Sequence, residues 1–257
     1  MAFAPACDVA PPIRIDQSCA MQGGCIEGDA PGFPVRLARA GRYRLASDLV
    51  VPDADTTALV VAASHVELDL AGFAITRRGC LRKASPADPQ PTPTPALDAS
   101  CPTVSGAGLG VSIEGAAVPG LSIRDGRVSG MGGDGMRVGE GATLTRIRAR
   151  SNGGRGLVAG ARSWVADSEV TRNAGAGVVV GEASVVSGSR VVGNGGAGIR
   201  AAAGALVHHN AVAHNAGPGL ELDDATWGDN TIDANHGGTV VGGRDEGGNR
   251  CDGSTCP

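Results

Sequence analysis

Apolar and polar positions recur through the second half of the chain with a period of 21 residues. Asparagine and glycine each hold one position of the period, and an apolar residue follows each glycine. These three columns are Asn152, Asn173, Asn194 and Asn215; Gly135, Gly156, Gly177, Gly198 and Gly219; and Met136, Leu157, Val178, Ile199 and Leu220. Two further apolar columns are Leu144, Val165, Val186 and Val207, and Val170, Val191 and Val212. The following repeat is one residue shorter, so the stacked pairs there are Val212 with Ile232, Asn210 with Asn230, and Asn215 with Asn235.

This period predicts a solenoid in which each coil of short strands pairs in parallel with the next coil. Equivalent residues then stack about 4.8 Å apart, which puts the valine and isoleucine columns inside and lets the asparagines form a hydrogen-bonded ladder. We expect the glycine before each apolar residue to supply a turn with φ > 0. A helical interpretation fails because glycine and asparagine recur inside every candidate helix. The prediction is an all-β fold, a single parallel β-helix of 21-residue coils, about eight to ten in number.

The period weakens towards the N-terminus but persists. Residues 120–139 read as a coil with Met131 in the asparagine position, and residues 65–75 alternate apolar and polar side chains as a strand does. We therefore expect the β-helix to extend over residues 33–249. Residues 1–32 are expected to form an irregular, cysteine-bearing N-terminal cap.

Two segments are expected to interrupt or end the coils. Residues 79–103 contain a run of prolines and predict an inserted extended loop, which is either inert or the wall of a binding groove. Residues 250–257 are expected to form a disulfide-closed C-terminal tail.

Two runs of sequence carry a resemblance to a known family. The run GRYRLASDLVV…TALVVAASHVELDLAGFAI resembles the opening coils of bacterial right-handed β-helix repeat proteins with the pectin-lyase-like fold. The run WGDNTIDANHGGTVVGGRDEGGNRCDGSTC is similar to the C-terminal cap of the same group. The resemblance covers roughly residues 33–257. It implies right-handed coils, but it implies no particular activity because one fold hosts many functions.

Composition supports this architecture and excludes several functions. The 257 residues include 42 glycines and only 2% aromatic residues, so a core of large side chains is excluded. A net charge of −4 gives no electrostatic reason to expect nucleic acid as a partner. No apolar run approaches the roughly 18 residues of a membrane-spanning helix.

The cysteines lie outside the regular repeats, at positions 7, 19, 25, 80, 101, 251 and 256. No pair has the spacing of a zinc site, so disulfides are the better interpretation. We predict a bond between Cys80 and Cys101, which bracket the inserted loop, and a bond between Cys251 and Cys256 in the C-terminal cap. One of the remaining three cysteines, Cys7, Cys19 and Cys25, is then free or paired between chains. Disulfides indicate a secreted protein, extracellular or periplasmic.

Most outward-facing charges have a structural explanation. Arg148, Glu169 and Arg190 share one column, and Arg146 and Asp167 share another, with alternating signs. Opposite charges on neighbouring strands are ordinary cross-strand pairs, so these columns predict support for the coils and no site.

Carboxylates concentrate in the last coils. Glu221 and Asp223 are predicted to point outward from one strand, about 6.5–7 Å apart. That separation is near the roughly 6.5–9.5 Å between the acid and base of an inverting glycoside hydrolase. The alternatives are a solvated acidic edge partly paired with Arg200, or a calcium site that also uses Asp224.

Histidines concentrate in the same coils. His209 falls over Asp229, which makes it a candidate catalytic base with an orienting carboxylate; the alternative is a set of surface histidines without chemistry. His208, His209 and His214 predict no metal site, because adjacent strand residues point to opposite faces.

The sequence therefore predicts an extracellular β-helix protein that binds or processes carbohydrate, as a binding protein or as a polysaccharide hydrolase or lyase. Arg200, Asp224 and Trp227 are the predicted substrate-binding residues, and the expected partner is a polysaccharide or a cell-surface glycan. No metal or cofactor is predicted other than the calcium alternative. The competing hypothesis is a non-catalytic structural or adhesive spacer. Sparse aromatic residues favour the spacer. The NTD, GHG and RIK motifs of pectin-degrading hydrolases are also absent, and only the paired aspartates of those enzymes have a counterpart here, in Asp223-Asp224.

Overall fold

The computed structural model describes residues 10–80, 101–115 and 118–256. In these residues the chain forms a parallel β-solenoid with two sheets, of nine and eighteen strands. Within these ranges, helical structure is limited to α1 (Gln17–Gln22) and a 3-10 turn at Arg78–Cys80. The predicted all-β solenoid of 21-residue coils is confirmed, with about nine coils judging from the nine-stranded sheet.

The nine-stranded sheet consists of β2 (Val35–Leu37), β5 (Leu59–Val61), β8 (Val111–Ile113), β10 (Met136–Arg137), β12 (Leu157–Ala159), β15 (Val178–Val180), β18 (Ile199–Ala201), β21 (Leu220–Leu222) and β24 (Val240–Val241). The eighteen-stranded sheet consists of β1 (Ile13–Ile15), β3 (Gly41–Leu45), β4 (Leu49–Val51), β6 (Val66–Asp69), β7 (Ala74–Arg77), β9 (Ser122–Ser129), β11 (Thr143–Arg150), β13 (Trp164–Ala166), β14 (Glu169–Thr171), β16 (Val185–Ser187), β17 (Arg190–Val192), β19 (Leu206–His208), β20 (Ala211–Ala213), β22 (Thr226–Gly228), β23 (Thr231–Asp233), β25 (Arg244–Gly247), β26 (Arg250–Cys251) and β27 (Ser254–Thr255).

The core is built from the predicted apolar columns. Val165 pairs with Val186, which pairs with Val207, and all three are fully buried. The shorter repeat is also placed as predicted, because Val212 pairs with Ile232. Small branched side chains fit this interior because each coil contributes only short strands, which bury their faces by stacking.

The asparagine column forms a continuous buried ladder. Asn152 Nδ2 donates to Asn173 Oδ1 at 2.8 Å, and Asn173 Nδ2 donates to Asn194 Oδ1 at 2.9 Å. The series continues with Asn194 Nδ2, which donates to Asn215 Oδ1 at 3.0 Å, and with Asn215 Nδ2, which donates to Asn235 Oδ1 at 2.9 Å. Each oxygen also accepts from the backbone N–H one coil earlier, so these buried amides are well satisfied.

The expected role of the glycine column is wrong. None of the five glycines that precede the apolar residues has a positive φ. A Cβ on Gly177 would instead lie 2.7 Å from the carbonyl oxygen of Gly198 and 2.8 Å from Asn194 Nδ2. Glycine is required there because the next coil and the ladder leave no room for a side chain.

Positive φ occurs instead at the corners of each coil, both at glycines and at other residues. One such corner separates the two strands that most coils contribute to the larger sheet, and in β9 and β11 it lies within a single strand. Its residues include Asp125 (φ 61°), Arg146 (53°), Asp167 (51°), His209 (59°) and Asp229 (55°). A left-handed residue between two extended segments bends the chain sharply, so this row of polar side chains follows a bend along the solenoid axis.

The two ends of the solenoid carry disulfides. Cys19 is bonded to Cys25, and Cys251 to Cys256 in a hairpin of β26 and β27. The N-terminal segment is more regular than expected, because β1 pairs with β3 and Asp16 caps helix α1.

The third disulfide joins Cys80 to Cys101. Both predicted bonds are therefore present, and Cys7, like most of the predicted loop at 79–103, lies outside the described residues. No helix among the described residues is long and apolar enough to span a membrane.

Candidate functional site

A groove with a volume of about 760 Å³ runs along the corner that separates the two strands of the larger sheet. Two rows of side chains line it. One row consists of the corner residues, and the other consists of the first outward residue after each corner. The polar lining residues are Arg127, Arg146, Arg148, Arg190, Asp125, Asp167, Glu169 and Ser168. Gly72, Gly126 and Gly188 complete the lining, with Gly72 and Gly188 at opposite ends.

The coil register explains how separate parts of the sequence form one linear site. Arg127 pairs with Arg148, Arg148 with Glu169, and Glu169 with Arg190, so one side chain from each of four successive coils faces the groove. The coil of Gly72 adds a fifth level, because Ala74 pairs with Arg127. With coils about 4.8 Å apart, the groove extends about 19 Å along the axis.

Ion pairs hold the floor of the groove in place. Arg146 Nε lies 2.5 Å from Asp125 Oδ1, and Arg124 Nη1 lies 2.9 Å from Asp125 Oδ2. The hydrogen bond from Arg146, with that from Arg124, lowers the pKa of Asp125 to about 2 despite its partial burial. Asp125 is therefore a fixed anion at neutral pH and a structural partner of two arginines.

The remaining arginines are held more loosely. Arg148 and Arg190 approach Glu169 only to 3.7 and 3.6 Å, and their side chains are more than half exposed. No ion pair engages Arg127 within the described part of the chain. These three guanidinium groups keep donors available for a ligand.

Sequence reasoning recognised the charged columns but missed the groove. The predicted pairings of Arg148, Glu169 and Arg190 are correct, yet the pattern does not reveal the bend beside them. A visible signal is the column of Asp, Arg, Asp, Gly and His at 125, 146, 167, 188 and 209, because Asp, Gly and His adopt positive φ more readily than β-branched residues do.

The predicted acid–base pair lies on a different face from the groove. Glu221 is on β21 of the nine-stranded sheet, and its carboxylate pairs with Arg200 at 2.7 Å. The strand ends at Leu222, so Asp223 and Asp224 lie in the exposed turn that follows, and Asp224 has a φ of 50°. The strand-based separation of Glu221 and Asp223 therefore does not apply, and their role as acid and base stays a prediction.

Trp227 is not available for stacking on a sugar. Its side chain follows Val207 in an inward column, and the residue is 4% exposed. Its Nε1 has no hydrogen-bond partner in the described chain. The prediction of Trp227 as a substrate-binding residue is wrong because the aromatic ring belongs to the core. Trp164 is the exposed tryptophan, at 52%.

The structure brings His208 and His209 together, contrary to the expectation that they face opposite ways. Strand β19 ends at His208, and the positive φ of His209 turns its side chain to the same outer surface. The two Nδ1 atoms are 3.0 Å apart. Burial lowers the pKa of His208, and the charge of His209 lowers it further, against an opposing effect of Asp229.

No side-chain hydrogen bond joins the described residues His209 and Asp229, so the predicted orientation of the His209 ring by this carboxylate lacks direct support. The partner of the His209 ring is the His208 ring, and Asp229 lies at the same corner one coil further along. Their roles as base and orienting carboxylate stay a prediction. Among the described residues, no group of three or more His, Cys, Asp or Glu side chains is placed to hold a metal ion.

Comparison with known families agrees with this geometry. The family model described as "Right handed beta helix region" matches residues 109–255, which is more than half of the chain. The protein belongs to the right-handed β-helix family. The predicted handedness is thereby established. No curated protein matches the chain in sequence.

Solved structures share the β-helix with this protein at low sequence identity. The Dettilon tailspike protein (gp208) is 12% identical with a TM-score of 0.53, over 84% of this chain and 53% of the tailspike. The enzymatically active domain of tailspike protein 2 from bacteriophage CBA120 is 12% identical with a TM-score of 0.49, over 90% of this chain and 40% of that one. The periplasmic alginate epimerase AlgG is 11% identical with a TM-score of 0.45, over 86% and 69%. This β-helix protein thus spans about half of the tailspike, and the likeness is one of fold.

Proposed function

We propose that this β-helix protein is secreted and binds an acidic polysaccharide along the corner groove. The observation that carries the proposal is the groove itself, a linear depression of about 760 Å³ lined by four arginines from three of its levels. A β-helix suits a linear polymer as ligand, because each coil repeats the same outward positions about 4.8 Å further along.

The lining favours a ligand with both charges and hydroxyl groups. Guanidinium groups bind carboxylates and sulfates through paired, charge-assisted hydrogen bonds. Asp167 and Glu169 add acceptors for sugar hydroxyls on the same surface. The long approaches of Arg148 and Arg190 to Glu169 mean that a ligand can replace these contacts without breaking a tight ion pair.

The groove itself carries a small excess of positive charge. Its lining contains four arginines and three acidic residues, although the whole protein carries a charge of −4. This local excess of positive charge favours an anionic ligand over a neutral one.

Trp164 offers an exposed aromatic surface near the groove. It lies on β13, in the coil that contributes Asp167, and half of its surface is accessible. Tryptophan combines a large apolar face with a polar N–H and is suited to contact at the edge of a ligand site. The proposal of secretion rests on the three disulfides, which persist in oxidising compartments.

Replacing both Arg148 and Arg190 with alanine should weaken binding of an acidic polysaccharide by about 100-fold, since each hydrogen bond to a charged group is worth about 1.5–3 kcal/mol. Calorimetric titration with polyuronate and sulfated polysaccharides, and with neutral dextran for comparison, measures the change. Arg36→Ala is the matched control, because Arg36 is an exposed, ion-paired arginine on the other sheet.

A further variant, Arg200→Ala, separates the groove from the predicted site around Glu221. A loss of binding in Arg200→Ala with full binding in the groove variant would place the ligand at that acidic patch. Equal affinity for dextran and for the acidic polymers would contradict the proposal. If no polysaccharide binds, the spacer hypothesis is the better account.

A further inference from the structure

We infer that His208 and His209 together chelate a divalent transition-metal ion. The inference rests on the geometry of the two imidazole rings and is independent of the proposed polysaccharide binding. Calcium is not the ion concerned, because neutral imidazole nitrogen favours zinc, copper, iron and nickel, whereas calcium prefers oxygen ligands.

The backbone presents both rings on one surface. His208 is the last residue of β19, and His209 adopts a φ of 59° at the corner. The rings are nearly perpendicular, at 89°, with centroids 5.0 Å apart and their Nδ1 atoms facing each other. A contact between two imidazole nitrogens needs one proton between them, and a metal ion that replaces this proton can bind both lone pairs.

The separation of the nitrogens suits a metal ion. With metal–nitrogen bonds of about 2.0–2.1 Å, a right angle at the metal separates two nitrogens by about 2.9 Å, and a tetrahedral angle by about 3.3 Å. The observed 3.0 Å lies within this interval. Shifts of a few tenths of an ångström are therefore sufficient for either coordination geometry.

The neighbouring coils leave space around the pair. On the next coil, Gly228 pairs with His208. On the preceding coil, Gly188 holds the corner position that His209 holds here. These two neighbours have no side chain to cover the rings, whereas the other two stacked neighbours, Ser187 next to His208 and Asp229 next to His209, carry short polar side chains. His208 is half-buried and His209 is exposed, so an ion can enter from solvent.

The local charge also favours a cation. Residues 201–257 contain eight acidic residues and two arginines. Since no third His, Cys, Asp or Glu completes a ligand group at the pair within the described chain, water or the oxygen of another molecule would fill the remaining coordination positions. The pair is thus an open site with two protein ligands.

Titration of the untagged protein with Cu²⁺ tests the inference, because copper forms the strongest complexes among the divalent first-row ions. We expect one equivalent to bind with electron paramagnetic resonance features of imidazole nitrogen. Losing a residue that only supports a metal ligand typically costs about 10–100-fold in metal affinity. Losing a ligand itself, in His208→Ala or in His209→Asn, should therefore lower the affinity at least tenfold. Asparagine is chosen at 209 because it tolerates the left-handed backbone conformation.

His236→Ala is the matched control, since His236 is an exposed histidine on a later coil. Its affinity for Cu²⁺ should equal that of the wild type, and thermal melting verifies that all three variants are folded. The inference is overturned if the wild type binds no Cu²⁺, or if either His208→Ala or His209→Asn retains wild-type affinity.

Discussion

Gly198→Ala should lower the free energy of unfolding by about 3 kcal/mol, although the change adds a single methyl group. The new Cβ would lie 2.6 Å from the carbonyl oxygen of Gly219 and 2.8 Å from Asn215 Nδ2, and it would also contact Val212 Cγ1. The carbonyl accepts the backbone N–H of Ile199, and the amide belongs to the buried ladder. Neither can move without breaking hydrogen bonds, so the coil must open locally.

Gly228→Ala is the control for this prediction. A Cβ at Gly228 would meet its nearest neighbour, the carbonyl oxygen of Gly247, at 3.3 Å. The unfolding free energy should change by less than about 1 kcal/mol. Denaturant unfolding of both variants compares the two positions. Equal stability of Gly198→Ala and Gly228→Ala would contradict the claim that the glycine column has no room for a side chain.

Asn194→Ala should also cost about 3 kcal/mol, because each buried group that loses its partner costs about 1–3 kcal/mol. The Asn194 oxygen accepts from the backbone N–H of Asn173 at 3.1 Å and from Asn173 Nδ2 at 2.9 Å. Its Nδ2 donates to the carbonyl of Val170 at 3.1 Å. Alanine removes all of these contacts, and Asn194 is only 1% exposed, so water cannot readily replace them.

The same substitution at the end of the ladder provides the comparison. Asn235 accepts the same two hydrogen bonds, from the backbone N–H and Nδ2 of Asn215, but it is only half-buried and its Nδ2 donates to backbone carbonyls instead of to a further asparagine. Asn235→Ala should therefore cost about 1 kcal/mol, because solvent reaches the groups left behind. Thermal melting of the two variants side by side measures the difference, and an unchanged midpoint for Asn194→Ala would contradict a structural ladder.

The stacking of the coils could be predicted from the sequence because it depends on identity at a fixed period. Asn173, Asn194 and Asn215 repeat at 21 residues, and any fold that stacks them must also stack the columns of valine between them. The shorter repeat was likewise readable from Asn235. The reason for the glycines was not readable, since close approach and positive φ both select glycine and only the backbone distinguishes them.

The candidate site was harder to predict because it depends on bends between strands. Alternation of side chains holds within a strand, but it fails where β19 ends at His208 and where β21 ends at Leu222. For that reason strand alternation argues against a metal site at His208 and His209, and a separation of Glu221 and Asp223 derived from strand geometry does not hold. Trp227 is a different case, because its place 20 residues after Val207 already indicated an inward side chain.

Arginine footprinting tests the central claim, that an acidic polysaccharide occupies the corner groove, most directly. Modification by an arginine-specific dicarbonyl reagent is followed by mass spectrometry, with and without bound acidic polysaccharide. The account predicts that the polysaccharide slows modification of Arg127, Arg148 and Arg190, which line the groove, and leaves Arg36 and Arg200 unchanged. Protection of Arg200 alone, or equal rates at the three groove arginines with and without the polysaccharide, would contradict it.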